Sequence, residues 1–499
     1  MSPGAQAPAV TAAPAPGPPR SELSSRAVRG GLWTALGFGA SQAIRLAGNL
    51  ILARLLFPEA FGLVGLVNTF LIGAVMFSDL GIATSIVRSP RGDDARFLAT
   101  AWTIQALRGA LLFGAVAALA GPLADFYAQP ELAVLLRIAA LGLLLDGLVS
   151  TAFPRLTRRL ELKRLAGIEL LSQLGGLVAM VAWVLASPSV WALVGGGLVA
   201  AATKLLLSHL AIDDPRQRIG WDPDAACELL RFGGWIFVST LLQFLVKQSD
   251  RLIFGKLLPL ALFGVYNIAL MLAMLPALLL GRLGASVLFP ALSRAIRDGR
   301  ELAAVLGPAS RPLLLLGGLV ASALAAGAVP LIDVLYDPRY ADAAWMLVLL
   351  AVGAWFETLQ VPSGAALLVL GAPRWLAVAS AVKLAAIAAS VPLGYALAGV
   401  QGGILGFVAA EGIRWLTLAL AANRFGLHTL GSDLRLSLRV LVGAALGQVA
   451  AEAVAPRAGD LAGLLAAIGV AGLPWLPPLV RLLGEHQERL REAIAPRYP

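Results

Sequence analysis

The chain has 499 residues, of which 59% are hydrophobic and 14% charged, with a mean hydropathy of +0.82. Soluble domains hold about 25% charged residues, so this composition excludes a soluble globular protein and indicates a polytopic membrane protein. The formal charge of +10 lies mostly in loops between apolar spans, which argues against nucleic acid as a partner; the single cysteine, Cys227, excludes an intrachain disulfide and a multi-cysteine metal site.

Residues 1–28 form a Pro/Ala-rich tail, expected to be disordered and lacking the basic start and cleavage site of a secretory signal. Apolar spans then follow at about residues 31–56, 61–82, 97–121, 133–153, 168–186 and 190–212, which together make an N-lobe over 29–212. The charged, proline-broken stretch 213–228 is a linker. Six more spans, at about 232–257, 260–280, 312–335, 344–370, 376–397 and 402–422, make a C-lobe over 229–425. Two final spans, at about 436–454 and 461–483, fill 426–484 ahead of a tail at 485–499. The expected fold is an all-α polytopic membrane protein of about fourteen transmembrane helices, in two parallel-repeat six-helix lobes plus two C-terminal helices. Basic residues crowd alternate loops, as in Arg155, Arg158, Arg159, Lys163 and Arg164, while the opposite loops hold chiefly Arg54, Lys256, Arg339 and Arg457. That bias places both termini and the linker in the cytoplasm.

The two lobes begin with the same stretch. Arg29 to Gly62 aligns without a gap on Arg231 to Gly264, 202 residues later: Trp33 meets Trp235, Arg45 meets Lys247, Arg54 meets Lys256, and Phe61-Gly62 meets Phe263-Gly264. Each copy is an apolar span with a cation near its middle, where an isolated charge costs about 2.5 to 3.5 kcal/mol, so the cation should face a cavity or a partner. Ser41, Arg45 and Asn49 lie four apart on one face, and their mates are Gln243, Lys247 and Arg251.

These stripes, with Arg108 in the third span and Lys383 in the eleventh, are the candidate cationic pathway: Arg45, Asn49, Arg108, Gln243, Lys247, Arg251 and Lys383. Arg45 and Lys247 either draw an anionic headgroup, since guanidinium and ammonium suit phosphate, or pair with Asp79, Asp146 or Asp250 to hold helices together. Asp146, Glu357 and Asp250 are candidates for ion or proton coupling; the competing reading is a structural salt bridge, and Asp250 is close enough in sequence to pair with Lys247 or Arg251. Glu411 and Arg414 are expected to pair with each other, Lys204 to reach for the interface, and the segment Thr157 to Arg164 to anchor at it. His209, His428 and His486 stand apart and no GxxxxGK[ST] loop occurs, so no metal, cofactor, enzymatic activity or ATP hydrolysis is expected.

The stretches NLILARLLFPEAFGLVGL from Asn49, SDLGIATSIVR from Ser78, DRLIFGKLLPLALFGVYNIA from Asp250 and VLFPALSR from Val287 resemble the Wzx-type polysaccharide repeat-unit flippases of the multidrug/oligosaccharidyl-lipid/polysaccharide superfamily. The resemblance covers most of residues 29–440. It implies a V-shaped, two-lobed transporter of the bacterial inner membrane, with the first and seventh helices lining a central cavity. It also implies a substrate, an undecaprenyl-diphosphate-linked oligosaccharide, with membrane lipids, a polysaccharide polymerase and export proteins as partners. A peptidoglycan-precursor flippase and a cation-coupled drug exporter are rival readings within the superfamily. A membrane-embedded polymerase or ligase is the rival from another class, and the short loops give it no catalytic domain.

Overall fold

A computed structural model describes residues 20–78, 81–210 and 217–484. Asp79 and both outermost tails lie outside the described residues. The first half contains α1 (Arg20–Leu55), α2 (Pro58–Phe77), α3 (Ile82–Arg88), α4 (Ala95–Tyr127), α5 (Pro130–Ala139), α6 (Leu141–Gly147), α7 (Ala152–Arg158), α8 (Leu162–Ala186) and α9 (Trp191–Leu210). The second contains α10 (Pro223–Leu257), α11 (Leu260–Leu283), α12 (Phe289–Arg297), α13 (Leu302–Ala326), α14 (Ala328–Leu335), α15 (Ala343–Val369) and α16 (Arg374–Asn423), followed by α17 (Leu430–Ala458) and α18 (Asp460–Gly472). Helix α1 already starts at Arg20 and α10 at Pro223, so helix reaches into both the expected tail and the expected linker.

Ten helices among the described residues are long and apolar enough to cross a membrane, and a bent pair, Pro130–Gly147 with Ala152–Arg158, makes an eleventh. Helix α16 is two spans joined at Ala398 and Gly399, whose backbone is not helical; Gly399 has φ +59°. Adding the charge-bearing repeat helices α1 and α10 accounts for the expected fourteen.

The repeat is exact in register. Helix α1 ends at Leu55 and α10 at Leu257; α2 starts at Pro58 and α11 at Leu260. These mates meet one another where α2 and α11 cross. A Cβ on Gly62 would lie 2.3 Å from the Leu260 carbonyl oxygen, and one on its mate Gly264 would lie 1.9 Å from the Pro58 carbonyl oxygen. Only glycine permits that approach. Next along the crossing, Gly65 faces its own mate Asn267. The pseudo-two-fold axis therefore passes between these helices, and the largest buried apolar cluster spans them, with Leu63, Leu66 and Val67 against Phe263, Tyr266 and Leu270.

Flanking contacts obey the same symmetry. On one side Tyr127, at the end of α4, donates to the Leu252 carbonyl of α10 at 3.2 Å. On the other, residues following α13 reach α1: Tyr336 donates to Asn49 Oδ1 at 3.0 Å, Tyr340 to the Leu56 carbonyl at 3.2 Å, and Arg339 to the Arg54 carbonyl at 3.3 Å. The lobes are thus closed at the end where α1 and α10 finish.

The last two spans attach to the C-lobe through small residues. Trp475, fully buried, donates from Nε1 to Ser322 Oγ at 3.1 Å, and its ring fills the space a side chain on Gly318 would need.

Candidate functional site: a cationic cleft below the closed end

Arg45 is ten residues short of the end of α1, or about 15 Å at 1.5 Å per residue, which is half the thickness of a ~30 Å hydrocarbon core. It is exposed and lines a cavity of 480 Å³ with Ser41, Asp146, Glu169, Lys204 and Arg282. A second cavity of 390 Å³, lined by Gln105 and Arg108, shares Asp146, Glu169 and Lys204 with the first, so the two form one cleft. Neither Arg45 nor Arg282 has a salt-bridge partner among the described residues; Lys204 Nζ is held by Asp146 at 3.0 Å. The cleft holds Arg45, Arg108, Lys204 and Arg282 against Asp146 and Glu169, a cationic balance suited to a phosphate-bearing group.

Arg282 comes from the C-lobe. Its guanidinium lies 3.7 Å from the ring centroid of Phe38 on α1, a cation–π contact that carries a C-lobe charge into the N-lobe cleft. On α10, Lys247 and Gln243 are exposed, as the repeat implied, and Lys247 is likewise without a salt bridge among the described residues.

Other expected residues are placed differently. Asn49 is taken up by the closing contact with Tyr336. Lys383 is buried, 5% exposed, and paired with Glu411; it is not among the residues that line the cleft, and Glu411 pairs with it rather than with Arg414. Glu357 is half-buried beside this pair, within the influence of the charges on Glu411, Lys383, Arg414 and Lys247. Asp250 is 3% exposed and pairs with neither cation near it: it accepts from Tyr266 Oη at 2.7 Å, while Arg251 donates to Gln248 Oε1 at 2.8 Å. Arg108 donates to Ser78 Oγ at 2.9 Å and the Val75 carbonyl at 3.0 Å, tying the cleft wall to the end of α2.

The fourth span, expected to be continuous, breaks after α6. Trp102 and His209 bond the freed Leu148 carbonyl at 3.2 and 3.0 Å, and Gln105 bonds that of Val149 at 3.0 Å. Such repair lets a broken helix lie within a membrane and puts Asp146 at the break, beside the cleft. The basic segment after it is also engaged: Arg155, Arg158 and Arg159 converge on Asp93 at 3.1, 3.4 and 3.4 Å.

Arg282 and Glu169 were not among the expected residues. Arg282 falls just past the expected end of its span, but helix continues beyond it, through a π-helical turn at Gly284–Leu288, to Arg297, and Gly281 and Gly284 made that continuation hard to read. Glu169 falls at an expected span start, yet α8 begins a further two turns earlier, at Leu162.

A family model described as polysaccharide biosynthesis protein matches residues 51–345, more than half of the chain. The chain belongs to that family. It is 25% identical over 280 residues to the lipopolysaccharide biosynthesis protein WzxC of Escherichia coli, covering 56% of each chain. It is 26% identical over 320 residues to the succinoglycan biosynthesis transport protein ExoT of Rhizobium meliloti, covering 64% of each. The chain therefore spans less than two thirds of the length of these two relatives. It is also 24% identical over 364 residues to the teichuronic acid biosynthesis protein TuaB of Bacillus subtilis, covering 70% of this chain and 72% of that one. In fold, it is similar to the lipid II flippase MurJ in an inward closed conformation, with a TM-score of 0.72 at 13% identity, covering 91% of this chain and 99% of that one. An inward-facing multidrug resistance transporter of the MATE family gives 0.61 at 14% identity, covering 79% and 96%. This member of the polysaccharide biosynthesis family is accordingly a multi-pass membrane protein with a transporter fold.

Proposed function

We propose that the protein is a flippase that carries undecaprenyl-diphosphate-linked oligosaccharide repeat units across the bacterial inner membrane by alternating access, supplying capsule, exopolysaccharide or O-antigen synthesis. The observation that carries this reading is the mid-depth cleft in which Arg45 of one lobe and Arg282 of the other are both without a carboxylate partner among the described residues, below an end sealed by contacts between lobes. Loop charge supports a periplasmic sealed end and cytoplasmic termini, an orientation in which the cleft would load from the cytoplasmic leaflet. The diphosphate would be held by Arg45, Arg282 and, from α10, Lys247; the sugars would occupy the wet cleft and the polyprenyl chain would remain in lipid. The protein moves its substrate without breaking a bond.

The test is transfer of a fluorescent undecaprenyl-diphosphate oligosaccharide between leaflets of proteoliposomes. Wild type should translocate it, Arg45→Ala, Arg282→Ala and Lys247→Ala should lose most of the rate, and Arg45→Lys should retain part of it. Undiminished translocation by all three alanine variants would overturn the headgroup assignment.

A further inference from the structure

A separate cavity of 660 Å³ lies between α13, α17 and the stretch that follows α18, far along the chain from the repeat helices. Four arginines line it, Arg311 from α13, Arg435 and Arg439 from α17, and Arg481 from the end of the last span. Helices α13 and α17 begin at this end of the bundle and the last span finishes there, at Gly484. Arg311 and Arg439 each lie nine residues into their helices, or about 14 Å by helical rise, which puts them below the helix ends rather than on loops. Alternating loop charge explains a basic helix end; it does not explain guanidinium groups from three spans facing one cavity.

The other walls are apolar, with Leu314, Leu315, Leu436 and Leu482, and no carboxylate is among the described residues that line the cavity. A smaller arm of 110 Å³ shares Gly307, Ser310, Leu314 and Ser432 with it. That arm contains Ser363, 1% exposed, whose hydroxyl oxygen is buried without a hydrogen-bond partner. Its one carboxylate, Asp433, accepts from Trp415 Nε1 at 3.1 Å. Guanidinium groups above leucine walls, with an unpaired hydroxyl deeper in, match a ligand that is anionic and rich in oxygen at one end and hydrocarbon at the other.

We propose that this cavity binds the phosphate headgroup of an anionic membrane lipid, at a site distinct from the transport cleft. A glycerophospholipid and a polyprenyl phosphate both carry this chemistry.

The experiment is native mass spectrometry of the full-length, delipidated protein. It would be titrated separately with cardiolipin, phosphatidylglycerol, undecaprenyl phosphate, phosphatidylcholine and inorganic phosphate. Binding of at least one anionic lipid is expected, weakened roughly tenfold or more in Arg435→Gln/Arg439→Gln, about the size of a lost charge-assisted hydrogen bond. Arg481→Gln, an exposed change that leaves the core intact, should weaken it in the same direction. Arg294→Gln/Arg297→Gln, on the exposed face of α12, should not. Preference for cardiolipin or phosphatidylglycerol identifies the occupant as a glycerophospholipid, and preference for undecaprenyl phosphate identifies it as the carrier. Equal affinity for phosphatidylcholine, binding of free phosphate as tight as that of any lipid, or affinity unchanged in both cavity variants would each overturn the proposal.

Discussion

Lys383 and Glu411 are 7% and 3% exposed at their side chains, and Gln360 donates to Glu411 Oε2 at 3.3 Å. Removing one partner of such a pair leaves an uncompensated charge and costs about 3 to 5 kcal/mol, whereas replacing both with apolar residues is often close to neutral. Lys383→Met should therefore lower the thermal midpoint of the purified protein strongly, and Lys383→Met/Glu411→Leu should recover most of the loss. A fully stable Lys383→Met that no longer transports would instead place the lysine in the substrate path. Arg45 and Lys247 stand out in the sequence because the repeat brings two cations to one depth, and both are exposed. Lys383 has no repeated cation to support it, and its burial against Glu411 depends on how α16 folds back on itself, which local spacing does not reveal. The pairing of Asp250 with Tyr266 was hidden for the same reason: its partner lies on the next helix, and nearness along the chain pointed to the wrong residues.

Among the elements, the loop from α3 to α4 is clamped by Asp93. Partial burial pushes its carboxyl up, but the hydrogen bond from Arg155 and the charges of Arg155, Arg158 and Arg159 outweigh this and hold it below the ordinary carboxylate value. A depressed acid stabilises the fold above its unfolded pKa and loses that contribution as pH falls through the folded one. Asp93→Asn should thus cost on the order of 1 kcal/mol at neutral pH, since the group is half exposed and screened, and the gap from wild type should close in acid. Denaturation at pH 7 and near pH 3 would check this; a gap that persists in acid would contradict it. At the α2–α11 crossing, Gly62→Leu and Gly264→Leu should have similar effects, because each forces a side chain onto a backbone carbonyl of the mate. Overpacking there should cost about 1 to 3 kcal/mol and disfavour the closed end, measurable as a lower melting temperature. Span number and the repeat register could be read from hydropathy and identity. The break after α6 could not, because Leu148 and Val149 are apolar and the groups that repair it come from α4 and α9.

For the molecule as a whole, the closed end and the cleft must exchange accessibility if the lobes rock. In a Cys227→Ser background, cysteines replacing Arg54 and Arg339, whose backbone and side chain now meet, should be joined by a short bis-methanethiosulfonate reagent, whose disulfides a reductant then cleaves. Translocation should stop on cross-linking and return on cleavage. Transport that continues with the link in place would mean that this end need not open. The two-lobed plan was visible in the chain because both halves retain one opening sequence, while the shape of the cleft emerged only with Arg282 crossing from one lobe to the other. Had the halves remained separate and identical subunits, one codon would have set both sides of each contact on the axis. A side chain introduced at the crossing glycine would then have collided twice, and the residue at 65 would have faced a copy of itself. Joined end to end, the two codons mutate independently: Gly65 faces Asn267, and Arg45 is answered by Lys247. One chain can therefore specialise its halves for different parts of an asymmetric cargo while the crossing that joins them keeps the geometry of a dimer.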